Sequence, residues 1–216
     1  MAAKTVAISA LECRLKEAEI RKALAEADVA ELEAKEKRRE DRDHEASANQ
    51  AKVYPFFGAV TGGTVQPCIA TLGSWSRREP GADLTIVFNS PGGAVIDGLA
   101  LYDFLSQLKS EGHKIKTVAR GMAASMGGVL LQAGDERVIG ANAHILVHEI
   151  TTGMIGKFSE IEDEVLFCKM LQERILSILA RRSTLTEKQI RSRWNRRDWW
   201  ISATSAVEIG LADSIG

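Results

Sequence analysis

Three short segments carry residues whose type and spacing could do chemistry. Asn89-Ser90-Pro91-Gly92-Gly93 closes an apolar run, and its two glycines permit a left-handed turn that brings backbone N–H groups close to a ligand. Gly121 to Gly128, GMAASMGG, surrounds Ser125 with small residues, so another backbone can approach it and its hydroxyl need not be blocked. If a helix starts there, Ser125 lies at its positive end beside free N–H groups, which suits a nucleophile whose tetrahedral intermediate is an anion. His144-Ile-Leu-Val-His148 holds two histidines four apart. On a helix they could share a zinc ion, but the β-branched centre argues for a strand. Four strand residues span ~13 Å, whereas zinc wants each imidazole within ~2.1 Å. No metal is expected, and His148 at a strand end is left as a candidate general base, active near neutral pH. Each segment has a plain alternative: a strand-to-helix turn, close packing through small residues, a structural histidine.

These groups need a frame, and the frame is legible from residue 51 onward. Short β-rich runs at 84–88, 113–118, 137–140 and 144–148 alternate with helical stretches at 94–108 and 124–132, a pattern of βα units feeding a mostly parallel, buried sheet. A longer amphipathic helix follows from Lys157, with Phe158, Ile161, Val165, Cys168, Leu171, Ile175 and Leu179 at helical spacing. Residues 183–187 then form a turn, with Thr184 or Thr186 capping another helix.

The first 50 residues differ in kind. They contain no Gly, Pro or aromatic residue, and hold 10 Lys or Arg against 12 Asp or Glu. Strong helix formers dominate, and Leu11, Leu15, Ile20, Leu24, Val29 and Leu32 give only a broken apolar stripe. The reading is a charged helical or coiled-coil extension over 1–50 and a catalytic domain over 51–216.

Composition narrows the classes. The chain has 216 residues, 45% hydrophobic and 26% charged, with a formal net charge of -1. That balance argues against a dedicated nucleic-acid binder. Arg181 to Arg197 holds seven Lys or Arg against one Glu, which reads as a solvated helix face. No run is long and apolar enough to span a bilayer, and the start lacks a secretory pattern. Cys13, Cys68 and Cys168 form no CxxC pair, so neither zinc nor a disulfide scaffold is expected. The expected location is cytoplasmic.

Taken together and in order, these segments resemble the proteolytic subunit of the Clp protease family, from about Leu84 to Ile215. NSPGG precedes a helix, GMAASMGG carries a serine, and ILVH carries a histidine 23 residues later. Gly156 with the helix from Lys157 resembles the family's inter-ring handle. Arg197-Asp-Trp-Trp-Ile-Ser-Ala203, followed by residues 206–215, resembles its C-terminal signature. The resemblance implies a Clp/crotonase-like spiral of βα units and a serine endopeptidase. Ser125 would be the nucleophile, His148 its base and Asp198 the acid that orients the imidazole. Gly93 and Met126 N–H groups would form the oxyanion hole. It implies a ring-shaped homo-oligomer, a protein or peptide substrate and no cofactor; the partner would be a Clp-type ATPase unfoldase or, in a phage relative maturing capsids, a capsid or scaffold protein. Two departures stand out. Glu149-Ile150 replaces the Gln-Pro usual after the histidine, and residues 51–83 match poorly. The competing readings are a signal-peptide-peptidase-like serine/lysine protease, for which no lysine base is evident, a crotonase-like acyl-CoA enzyme, and an inactive assembly or scaffold protein.

Overall fold

The computed structural model describes Lys16, residues 21–39 and residues 51–216. The chain divides into two compact units, 1–50 and 51–216. In the first, residues 21–39 form helix α1, whose residues are all exposed, including Leu24, Val29 and Leu32. Two i,i+4 ion pairs, Lys22–Glu26 and Glu31–Lys35, support it. At such exposed pairs each adds only ~0.3–0.5 kcal/mol. The remaining expectations for the extension, including Leu11, Leu15, Ile20 and Cys13, fall outside the described residues.

The second unit is a seven-stranded sheet with helices packed against it. In chain order come β1 (Lys52–Phe57), α2 (Gly62–Arg78), β2 (Leu84–Ser90), α3 (Val95–Ser110), β3 (Ile115–Ala124) and α4 (Met126–Leu131). After these follow β4 (Glu136–Ile139), β5 (His144–Val147), α5 (Phe158–Arg181), α6 (Glu187–Trp194), β6 (Trp199–Ser202), α7 (Ala203–Glu208) and β7 (Ser214–Ile215). The main sheet runs β1-β2-β3-β4-β7, all parallel. The βα alternation read from the sequence is therefore the architecture, a mixed α/β fold. Five elements were not anticipated: β1, α2, β6, α7 and β7. Each is short, polar or interrupted; α2 starts on two glycines and contains Pro67, so local propensity argues against it. Tertiary burial overrides that propensity, since Val65, Cys68 and Leu72 of α2 are sealed in the core.

Burial follows the strand period. Leu84, Ile86, Phe88 and Ser90 of β2 are buried while the residues between them are more exposed. Phe88 meets Phe56 of β1 with ring centroids 5.6 Å apart, as their register requires. Leu101, Leu105 and Leu108 of α3 complete one stripe of the core. The α6 cap is Thr186, whose hydroxyl accepts from Gln189 N–H at 3.3 Å.

The strand β3 carries the feature that builds the site. Its first half pairs with β4, Lys116 to Ala119 against Glu136 to Ile139. Its second half pairs with β5, Met122 to Ala124 against His144 to Leu146. Between these two pairings lies Gly121 at φ 69°. One strand thus serves two neighbours on one side, while β2 lies along the other. The antiparallel pair β5–β6 extends the sheet beyond that point.

A candidate serine-histidine active site

The C-terminal ends of three parallel strands meet at one place. Ala123 of β3 is in register with Ser90 of β2, and Ala124 with Leu146 of β5. The residues that follow each strand, Pro91 to Gly93, Ser125 and His148, therefore converge, although up to 57 residues separate them in sequence. Gly93, Ser125, Met126 and His148 line one cavity of about 550 Å³.

Ser125 is held in an unusual backbone conformation, φ 52° and ψ -121°, one of only two non-glycine residues with positive φ among the described residues. Such a conformation costs on the order of 1–3 kcal/mol and persists only where its surroundings fix it. Here its N–H donates to Leu146 O at 2.8 Å, and its C=O accepts from Gly128 and Val129 as α4 begins. All six residues of α4 are buried. The short helix therefore cannot shift, and the half-buried Ser125 caps it facing the cavity. The expectations of small-residue packing and of a serine at a helix start are both met.

The NSPGG turn fits against this serine. Gly92 stands at φ 92°, and a Cβ there would come 2.5 Å from the Ser125 Cβ. Gly93 stands at φ 148°, where a Cβ would come 2.2 Å from Val60 O. Only glycine allows this approach. The surrounding bonds pass over two donors: Gly92 N–H goes to Ser90 Oγ, Ala94 N–H to Val60 O, and Ser125 N–H to Leu146 O. No turn or cap bond uses the N–H of Gly93 or Met126. Both therefore remain available beside Ser125 for developing negative charge.

His148 is half-buried at the end of β5, and its Nδ1 lies 2.5 Å from the carbonyl oxygen of Glu149. A carbonyl only accepts, so this contact puts a proton on Nδ1 and leaves Nε2 as the ring nitrogen that can accept one. That tautomer is the one a base needs. Asp198 is treated differently. The register of β5 and β6 pairs Val147 with Trp199, so Asp198 lies one step beyond, opposite His148. Its side chain is exposed and makes no hydrogen bond, and it is absent from the cavity wall. The backbone thus brings the two residues to neighbouring positions without joining their side chains. His144 is at the far end of β5, as the strand spacing requires, and the described residues hold no cluster of metal-ligating side chains.

Sequence reasoning missed the wall of this cavity. Val95, Val129, Leu171, Ile175, Leu179 and Trp194 supply its apolar surface. The signal was present in the α5 stripe, but that helix has two roles. Ile175, Leu176, Ile178 and Leu179 are buried, whereas Phe158, Val165, Leu166 and Met170, nearer its start, are exposed. Leu171, in the same helical stripe as Phe158 and Val165, lines the cavity. Cys168 is also in that wall, while Cys68 is fully buried and its thiol is pushed up to about 12 by burial.

Away from the cavity, a buried guanidinium ties the far end of α4 to the chain's last turn. Arg137 Nη1 donates to Gln132 Oε1, Arg182 O and Gly210 O at 2.6–2.8 Å, and Nη2 to Asp213 Oδ1 at 2.5 Å. Burial pushes the Asp213 carboxyl up, but the hydrogen bonds and charge of Arg137 outweigh it and hold it below its ordinary value.

A serine at the start of a buried helix, a histidine with a free ring nitrogen and two unused N–H groups lie in one cavity, the parts that acyl-transfer chemistry would use. Comparison with known proteins agrees with that class. The Clp protease family model matches residues 56–216. The ATP-dependent Clp protease proteolytic subunit 2 of Synechococcus sp. (strain CC9605) is 36% identical over 166 residues, covering 74% of this chain and 81% of the relative. The protein of the same name from Tropheryma whipplei (strain Twist) is 37% identical over 139 residues, covering 63% and 75%. The chain belongs to the Clp protease family, a family of peptidases. The match begins at residue 56, ahead of Leu84, and so takes in α2, which the reading of residues 51–83 as poorly matching had left out.

Proposed function

We propose that this protein is a serine endopeptidase. Ser125 Oγ attacks the scissile carbonyl while His148 Nε2 takes its proton. The resulting oxyanion is stabilised by the N–H groups of Gly93 and Met126, at ~3 kcal/mol per donor. The imidazolium then protonates the leaving amine, and water hydrolyses the acyl-enzyme by the same steps in reverse. Asp198 orients His148 and stabilises its cation, once its carboxylate replaces the Glu149 carbonyl at Nδ1. The observation that carries this reading is the convergence of Ser125, with its constrained backbone, and His148 on one cavity beside two unused N–H groups. The test is labelling with a fluorophosphonate: one serine should react, and Ser125→Ala should abolish it in a protein that still folds. Labelling that maps to Ser90 or Ser202 overturns the assignment.

The working form is a ring-shaped homo-oligomer in the cytoplasm, fed by a Clp-type ATPase, with no cofactor of its own. Support comes from the relatives' names, which describe ATP-dependent proteolytic subunits, and from the exposed Phe158, Val165, Leu166 and Met170 on α5. Among the described residues no helix is long and apolar enough to cross a membrane. Sedimentation tests the assembly: wild type should run as a large particle, and Val165→Glu or Met170→Glu should split it. Residues 1–50 act as a targeting arm or gate. Their deletion should leave small-ester hydrolysis intact. A gate predicts faster degradation of unfolded protein by the truncated form, and a targeting arm predicts loss of the natural substrate alone.

A further inference from the structure

The cavity beside Ser125 is apolar in its depth and acidic at its edge. Val129, Ile175, Leu179 and Trp194, all buried, form the inner wall. Among the lining residues only two carry a formal charge at neutral pH, Glu149 and Glu164, and neither Lys nor Arg is present. Glu164 is exposed on α5, whereas Glu149 is half-buried directly after His148. The Glu149 carboxylate has no hydrogen bond and no ion pair in the fold; only its backbone carbonyl is engaged, with His148. The cation that feels its charge, Arg191, is already taken. Both oxygens of Glu173 hold Arg191 Nη2, at 2.8 and 2.6 Å. Half-buried and without an ion pair, the Glu149 carboxylate keeps its contact with water at the cavity edge, where a substrate cation can replace that water.

Resting on the reading of Ser125 as the nucleophile, we infer that this cavity selects a substrate residue with a long apolar stem and a cationic head, lysine or arginine, and that Glu149 is the specificity-determining residue. The stem lies along the apolar wall, as lysine and arginine stems do at mixed surfaces. The head reaches the carboxylates at the edge, where a charge-assisted hydrogen bond replaces water on a half-buried Glu149. An acidic substrate residue meets two like charges, with no Lys or Arg among the lining residues, and is rejected. This preference is not written in the Ser125 or His148 motifs. It comes from the departure at Glu149 and from where α5 carries Glu164.

Peptidyl diphenyl phosphonates that differ only in the side chain nearest phosphorus test this on the full-length protein. Probes with lysine, norleucine and glutamate side chains are compared by their rate of Ser125 modification, read by mass spectrometry of the intact chain. The lysine probe should react on the order of tenfold faster than norleucine, and glutamate slowest. Glu149→Gln should bring the lysine-to-norleucine ratio to about one, and Glu149→Lys should invert the order, each with an unchanged circular dichroism spectrum. Norleucine reacting fastest in wild type, or a ratio kept by Glu149→Gln, overturns the inference. Reaction with a plain fluorophosphonate but with none of the three probes also overturns it, because the cavity then seats no such residue. Failure of the plain fluorophosphonate to label Ser125 instead overturns the nucleophile assignment itself.

Discussion

The segment that holds Ser125 and the segment that holds Asp198 are built to opposite standards. Ser125 is fixed from every side: β3 before it, a wholly buried α4 after it, Leu146 O on its N–H and Gly92 against its Cβ. The far end of α4 is held in turn by Gln132, which Arg137 grips. Asp198 follows Asn195 to Arg197, all exposed, and is placed by the β5–β6 register and a turn in which Arg197 N–H donates to Trp194 O. The proposed nucleophile and anion site are thus products of the core, while the proposed third member is set by an exposed turn. A core-built group can be held in a costly conformation because many contacts share the cost. A turn has too few contacts for that, so its side chain is free to take or leave its partner.

Substitutions can break or sharpen this contrast. The largest effect is expected at the core-built side: Ser125→Ala should lower peptide hydrolysis by a factor on the order of 10⁴ or more, to background, with little change in melting temperature. Next comes Asp198→Asn, which should slow hydrolysis on the order of 10²–10⁴-fold in a protein as stable as wild type. If the rate is unchanged, the Glu149 carbonyl alone orients His148 and the acid assignment fails.

Two further substitutions probe the frame. Arg137→Met should cost about 3–5 kcal/mol, because it strands Gln132, two carbonyls and the Asp213 carboxylate together; urea unfolding measures it. Gly92→Ala should cost about 3 kcal/mol, combining a left-handed backbone with a Cβ set 2.5 Å from Ser125. Activity in Gly92→Ala should fall by more than the stability loss explains, since the clash is on Ser125, the proposed nucleophile. A fully stable and active Gly92→Ala would show that the Ser125 segment is softer than its contacts imply.

The smallest effect is pH-linked. Asp213 is held below its ordinary carboxyl range in the fold, so it binds fewer protons folded than unfolded. Its stabilisation is present above the unfolded value and is lost as pH falls through the folded one. Acid should therefore lower the melting temperature of wild type more steeply than that of Asp213→Asn, and equal slopes would remove Asp213 from the account. At the cavity, iodoacetamide should modify Cys168 and spare Cys68, whose thiol is both sealed and shifted to about 12. Modification of Cys68 at a comparable rate would mean that α2 opens readily.

What the sequence determined by itself is local. The apolar period marked β2, β3, β4 and β5 and the helices between them, and turn chemistry marked Gly92 and Gly93. The motifs named Ser125, His148 and Asp198 as candidates, and composition set residues 1–50 apart. Those features depend on neighbours a few positions away, so one stretch of chain contains all the information. Only the tertiary structure decided that β3 serves β4 and β5 in turn, which delivers Ser125 and His148 to one cavity. The antiparallel register that sets Asp198 opposite His148 without bonding it was likewise hidden, as was the division of α5 between core, cavity and surface. Pairing partners and registers are chosen by which buried faces fit across dozens of residues. The weak strands β1, β6 and β7 have too little pattern of their own and exist because a neighbouring strand completes their hydrogen bonds. The charge of Glu149 was plain in the sequence; that Glu173 holds the nearby Arg191 and leaves Glu149 without an ion pair is a property of the fold alone.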